Sequence, residues 1–165
     1  LHKYEALIRR YFDACNAGDH AALMSCFTSD AEHYFPPGLP EIPWRGAQTI
    51  AAKWVWCVEN LGSQWTIERV LVAPESHEAV IEWTHWKRKS GTAQRGDEWY
   101  VFDPDGANGQ GLIREIRAYY AAPAVKDLQD LPRSASGVAM GELVNFDYRG
   151  RGYHLRWDDR PEAAK

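Results

Sequence analysis

The sequence is poor in the residues that staple or anchor a chain. Its 165 residues hold only 3 cysteines, an odd and small number that does not suit a disulfide framework. Cys15, Cys26 and Cys57 stand in apolar surroundings, as buried thiols of a reducing cytosol do, and no pair has zinc-finger spacing. No apolar run approaches the roughly 18 residues of a membrane helix. Glu5, Arg9 and Arg10 interrupt the start, so it does not read as a signal peptide. The expectation is a cytoplasmic protein without membrane contact. Positive charge is scarce as well. There are 19 Lys and Arg against 23 Asp and Glu, a net charge of −4, and the longest basic run is Lys87-Arg88-Lys89. That pattern argues against a nucleic-acid partner. No glycine-rich loop opens a helix after a strand, and no two histidines have metal spacing. Neither a nucleotide, a metal nor any other cofactor is expected.

Aromatic residues are what the chain has in excess. Eight Trp, eight Tyr and five Phe share one small domain. So many rings fill an aromatic core or line an apolar pocket.

Hydrophobic period predicts the elements. Leu7, Ile8, Tyr11, Phe12 and Cys15 form one helical stripe over residues 3–15, closed by Gly18. Asp19 caps a second helix over 20–27. Residues 31–35 read as a strand, and the proline-rich stretch 36–43 as a stiff loop. Ile50, Trp54, Cys57, Val58 and Leu61 mark a third helix over 46–61, ended by Gly62. Residues 65–72, 77–89, 94–102 and 112–120 read as strands joined by turns. Helices first and an antiparallel meander after them give an α+β fold. Three helices on the concave face of a strongly curved sheet make a cone with an open mouth. The domain ends near residue 122. Residues 123–165 hold many turn formers, yet Leu143, Val144, Phe146, Tyr148, Tyr153, Leu155 and Trp157 are too apolar for a free tail. They read as an ordered extension that packs on the body or on a second subunit, with contacts between 140 and 157. A homodimer or higher oligomer is expected.

Several strings stand in a telling order: Arg10-Tyr11 before Asn16-Ala17-Gly18-Asp19, Phe27-Thr28-Ser29-Asp30-Ala31, Trp44-Arg45-Gly46 before Ile50-Ala51-Ala52, and Ile116-Arg117-Ala118-Tyr119-Tyr120. Over residues 4–120 this order resembles the nuclear-transport-factor-2-like superfamily, in its SnoaL-like and ketosteroid-isomerase-like branch. The resemblance implies a cystatin-like α+β barrel. In ketosteroid isomerases the oxyanion hole pairs a tyrosine with a protonated carboxylic acid, kept neutral by an apolar site. The resemblance puts these on Tyr11 and Glu98. The isomerases' base aspartate falls on Phe35. The aspartate of cyclases and epoxide hydrolases falls on Ala118, and that of dehydratases near Asn16. The resemblance therefore supplies a scaffold and half a site.

The residues themselves offer replacements for the missing base. His33 shares the strand face of Phe35. His85 lies in Ile81-Glu82-Trp83-Thr84-His85-Trp86, where one face carries Ile81, Trp83 and His85. In the opposite register Glu82 enters the cone instead. Glu98, Tyr100 and Phe102 alternate onto one face, so the carboxyl group sits with rings that raise its pKa. Phe35, Trp54, Trp83, Tyr100 and Tyr120 are the candidate substrate-binding rings. The reading is a cofactor-free dehydratase, isomerase or cyclase acting on a small hydrophobic or aromatic carbonyl-type molecule. Its rivals are an epoxide or ester hydrolase of the same fold, and a binding module or small subunit of a ring-hydroxylating dioxygenase.

Overall fold

The computed structural model describes residues 1–36, 41–120 and 138–139. Helix α1, Lys3–Ala17, ends where Gly18 turns left-handed at φ 63° and returns its N–H to Ala14 and Cys15. A residue with a Cβ is strained there, so the glycine fixes the stop. The Asp19 side chain then accepts from the Ala22 N–H and starts α2, His20–Met24. This helix is shorter than the sequence suggests. Cys26 and Phe27 are drawn into the sheet, where the Cys26 carbonyl accepts from Ile113 at 2.8 Å. Strand β1 covers Phe27–Tyr34 and the short β2 covers Trp44–Arg45. Helix α3, Ala47–Leu61, closes on a left-handed Gly62. Four longer strands follow: β3 Ser63–Ala73, β4 Glu78–Lys87, β5 Thr92–Asp103 and β6 Leu112–Tyr120. A two-residue β7, Val138–Ala139, pairs with the start of β5.

The fold is α+β with a curved, unclosed mixed sheet in the order β2-β1-β6-β5-β4-β3. The meander from β3 to β6 is antiparallel, as the hairpin spacing predicts. Strand β1 departs from that reading, for it runs parallel to β6. A parallel pair needs a long crossover, and α3 with the whole meander provides it. Register shifts leave Glu68 of β3 and Arg114 of β6 as the extra residues of two bulges, which bend and twist the strands that carry them. Gly96 on β5 serves the same close packing: a Cβ there would lie 2.6 Å from the Trp83 ring and from the Tyr119 carbonyl.

The core lies between α1, α3 and the sheet. Ile8, Leu23, Ile50, Ile81, Ile113 and Ile116 are buried in it with Tyr4, Tyr11, Tyr100 and Phe102. Tyr4 stacks on Phe102 at 4.1 Å, and its hydroxyl hydrogen-bonds His77 at 2.8 Å. Of the three free thiols, Cys15 and Cys26 are buried and Cys57 is half-buried. Among the described residues no helix is long and apolar enough to cross a membrane. Residues 37–40 of the predicted stiff loop and the apolar stretch 140–157 lie outside the described residues.

Candidate active site

A cavity of about 800 Å³ opens between α3 and the inner face of the sheet. Alternation along β4 sets one wall. Trp83, His85 and Lys87 face inward, while Glu82 faces the outer side with Asp97 and Trp99. The structure thus decides the register left open by the sequence, in favour of His85 over Glu82. From β5 come Gln94 and Glu98, and from β6 Ala118 and Tyr120. Helix α3 contributes Trp54, Trp56, Lys53 and Cys57 from the opposite side.

The rings form a continuous arc. His33 stacks on Phe35 at 4.1 Å, Phe35 meets Trp44 at 4.4 Å, and Trp44 meets Trp54 at 5.0 Å. Trp54 meets Trp65 at 5.1 Å, and Trp65 stacks on His85 at 4.5 Å. These offset and edge-on contacts suit ring quadrupoles, and they fix the shape of the wall. Across the sheet Trp83 and Tyr120 meet at 5.9 Å.

Among the described residues Glu98 is the one carboxyl group on this wall, and it is only 5% exposed. Burial pushes its pKa up to about 7, against the opposing effect of a hydrogen bond from Tyr100. The Tyr100 hydroxyl donates to Glu98 Oε2 at 2.6 Å. That leaves Oε1 to carry the acid proton. His33 Nε2 lies 3.7 Å from Oε1 and has no hydrogen-bond partner among the described residues. The imidazole of His33 is fully buried, and burial holds its pKa down at about 3. It is therefore neutral. Its Nδ1 lies 3.3 Å from the Tyr34 carbonyl, an acceptor, so the ring proton sits on Nδ1 and Nε2 presents a lone pair toward the acid. His85 is likewise held neutral, first by burial and then by the nearby Lys87 charge. Its Nε2 is 2.7 Å from the buried Ser63 hydroxyl.

The sequence-predicted residues divide into two layers. Phe35, Trp54, Trp83, Tyr120, His85 and Glu98 line the cavity. Tyr100 and His33 do not; they stand behind the wall, against Glu98. Tyr11 is also off the lining, which corrects the expectation that it reaches the substrate. It meets Tyr100 edge-on at 6.4 Å, and its hydroxyl is hydrogen-bonded to Cys15. Trp44, Trp65, Lys53, Lys87 and Gln94 line the cavity unannounced. Lys87 was legible in principle, because the alternation of Ile81, Trp83 and His85 continues onto it. Among the described residues no three His, Cys, Asp or Glu side chains gather as metal ligands.

Residues 8–112 match the model of the SnoaL-like domain family. The chain belongs to that family. The SnoaL-like chain is 42% identical to a protein of unknown function with a cystatin-like fold from Methylobium petroleophilum, over 96% of this chain and 95% of that one, with a TM-score of 0.69. The likeness thus takes in most of the C-terminal segment that no motif could place. A second structure, an NTF2-like protein of unknown function from Mesorhizobium loti, is 22% identical over 72% of this chain and 91% of that one, with a TM-score of 0.59. A third, from Kribbella flavida, is provisionally described as a ketosteroid isomerase; it is 16% identical over 72% of this chain and 78% of that one, at a TM-score of 0.56. These last two share the fold. No curated protein matches the chain.

The opposed pKa shifts make stability a readout of the SnoaL-like site. An acid whose pKa is raised by folding holds its proton more tightly in the native state. Glu98 therefore contributes a stability term that is full below its unfolded value near 4.5 and is lost as pH rises to about 7. His33 acts with the opposite sign: stability is lost as pH falls from 6.5 toward 3. Glu98→Gln removes the first effect alone. The variant is expected to match the parent near pH 4.5 and to become more stable than it above pH 7, by about 2–4 kcal/mol. Thermal unfolding of both proteins across pH 4.5–8 measures this. A constant difference across the range would show that Glu98 titrates normally.

Proposed function

We propose that this SnoaL-like protein is a cofactor-free general acid–base enzyme, a dehydratase, isomerase or cyclase, acting on a hydrophobic or aromatic carbonyl compound. The observation that carries the reading is a buried carboxylic acid, Glu98, on the wall of an aromatic cavity with its pKa near 7. Such a group is protonated often enough to donate and basic enough to be reloaded from water. Its carboxyl proton goes to the carbonyl oxygen or leaving group, and the Tyr100 hydroxyl then steadies the carboxylate left behind. His85 is the group that lines the cavity with a neutral imidazole, and it takes the proton from carbon. His33 is a positioning residue, since it touches Glu98 and not the cavity.

All three reaction classes begin by removing a proton next to a carbonyl. The test is therefore wash-in of solvent deuterium at the α-carbon of an aromatic ketone such as 2-tetralone, followed by NMR. Catalysed exchange above the buffer rate is expected. No exchange across a panel of bicyclic aryl ketones would contradict the proposal and favour a binding role.

A further inference from the structure

Three tyrosines stand around Glu98, and the hydroxyls of two are taken. That of Tyr11 is bonded to Cys15, and that of Tyr100 donates to Glu98 Oε2. The third is Tyr120. It lines the cavity, and among the described residues its hydroxyl makes no hydrogen bond. A phenol on the wall of an apolar cavity gains from an acceptor that a ligand brings in.

The sheet places this phenol beside the acid. Glu98 of β5 pairs with Ala118 of β6, and Gly96, two residues back, pairs with Tyr120. Glu98 and Tyr120 are therefore diagonal neighbours on the inner face, their backbones roughly 7–8 Å apart, which is within reach of an aromatic side chain. Two small residues shape the space around them. Ala118, opposite Glu98, ends at its Cβ and lines the cavity. Gly96 leaves its place to the Trp83 ring, from which a Cβ would lie only 2.6 Å away. Tyr120 meets that ring edge-on at 5.9 Å, so the phenol is located over β5. The charge of Glu98 reaches it there. Burial first, and Glu98 second, push the Tyr120 hydroxyl up to about 12, so it keeps its proton at neutral pH.

The rows of the sheet give an order of depth. Ala79, Tyr100 and Ile116 form a buried row that is off the lining. Glu98 with Ala118 comes next, then Trp83 with Tyr120, then His85. An oxygen held between Glu98 and Tyr120 thus lies at the closed end, with the carbons beside it directed toward the row of His85.

We propose that Tyr120 is the second donor of the site, its hydroxyl and the Glu98 acid proton together holding one uncharged oxygen of the ligand, that of a carbonyl or its enol. Strand β6 then supplies the phenol that α1 fails to bring to the cavity. This inference rests on the acid–base reading for the role of Glu98 and adds the donor beside it. Its test is binding, read apart from turnover. Two fluorescent probes of one shape are titrated at about pH 6, where Glu98 holds its proton. 2-Naphthol carries the oxygen of an enol, and 2-methylnaphthalene lacks it. Tyr120→Phe removes one oxygen atom and keeps the ring against Trp83, so the fold is preserved. It is expected to weaken 2-naphthol by about threefold to tenfold, the scale of one hydrogen bond, and to leave 2-methylnaphthalene unchanged. Tyr11→Phe should leave both affinities where they are. Equal losses for the two probes would make Tyr120 a packing ring and overturn the proposal. So would an unchanged affinity for 2-naphthol in Tyr120→Phe, a selective loss in Tyr11→Phe instead, or a parent protein that does not bind 2-naphthol. Deuterium wash-in keeps the two readings apart. Wash-in without the selective loss leaves the acid–base reading and removes this donor. The selective loss without wash-in leaves Tyr120 as a donor to a bound ligand and removes the acid–base reading.

Discussion

Glu98→Gln is expected to slow deuterium wash-in by about 10²-fold or more while leaving ligand binding nearly unchanged. The amide keeps the shape of the carboxyl group. Its oxygen still accepts from the Tyr100 hydroxyl, now at 2.6 Å from Glu98 Oε2. Its NH₂ group can face His33 Nε2, which lies 3.7 Å from Glu98 Oε1 and lacks a partner among the described residues. The fold therefore tolerates the change, and by the linkage argument gains from it above pH 7. What disappears is the transferable proton. A loss in kcat with KM preserved is the sign of a contact made chiefly in the transition state. Equal rates in the parent and variant would show that Glu98 is only a packing group, and the proposed function would lose its central observation.

Much of the candidate site is legible in the sequence, because it depends on local pattern. Gly18, Asp19 and Gly62 punctuate the helices through backbone chemistry that acts over a few residues. Period-2 alternation put Glu98 with Tyr100, and Trp83 with His85. Those pairs hold because a strand turns successive side chains to opposite faces. The parts that escaped are non-local. Nothing in residues 27–34 says that their partner is β6, some eighty positions on, or that the pairing is parallel. Tyr11 shows a second limit. A helical stripe tells that a residue is buried, not which layer of the interior it reaches; here α1 stops one ring short of the cavity, at Tyr100. Lys87 shows a third. A lysine at a strand end reads as solvated, whereas here it lines the cavity with Cys57 of α3, whose thiol its charge reaches.

The choice between the two histidines is a matter of reach. His85 lines the cavity; His33 is fully buried behind Glu98 and Phe35. His85→Gln is therefore expected to lower wash-in by about 10²–10⁴-fold, the range of a lost general base. His33→Gln should cost less and act indirectly, by moving the pH at which Glu98 titrates. The pH profile separates these roles. Both imidazoles are neutral far below pH 7, His33 down to about 3, because burial opposes their protonation. The base is thus ready through the acidic range, and the profile should have no limb near the ordinary histidine value of about 6.5. The acid, in contrast, must hold its proton. As pH rises through about 7, Glu98 ionises and the rate should fall. The expected profile is a plateau on the acid side with one descending limb around neutrality, rather than a bell. Glu98→Gln should flatten that limb at a low rate. His85→Gln should keep it at a low rate. His33→Gln should keep most of the rate and shift the limb, since the lone pair facing the acid is altered. A limb that instead vanishes in His85→Gln and persists in Glu98→Gln would exchange the two assignments, making the histidine the titrating group and leaving the carboxyl group to hold substrate.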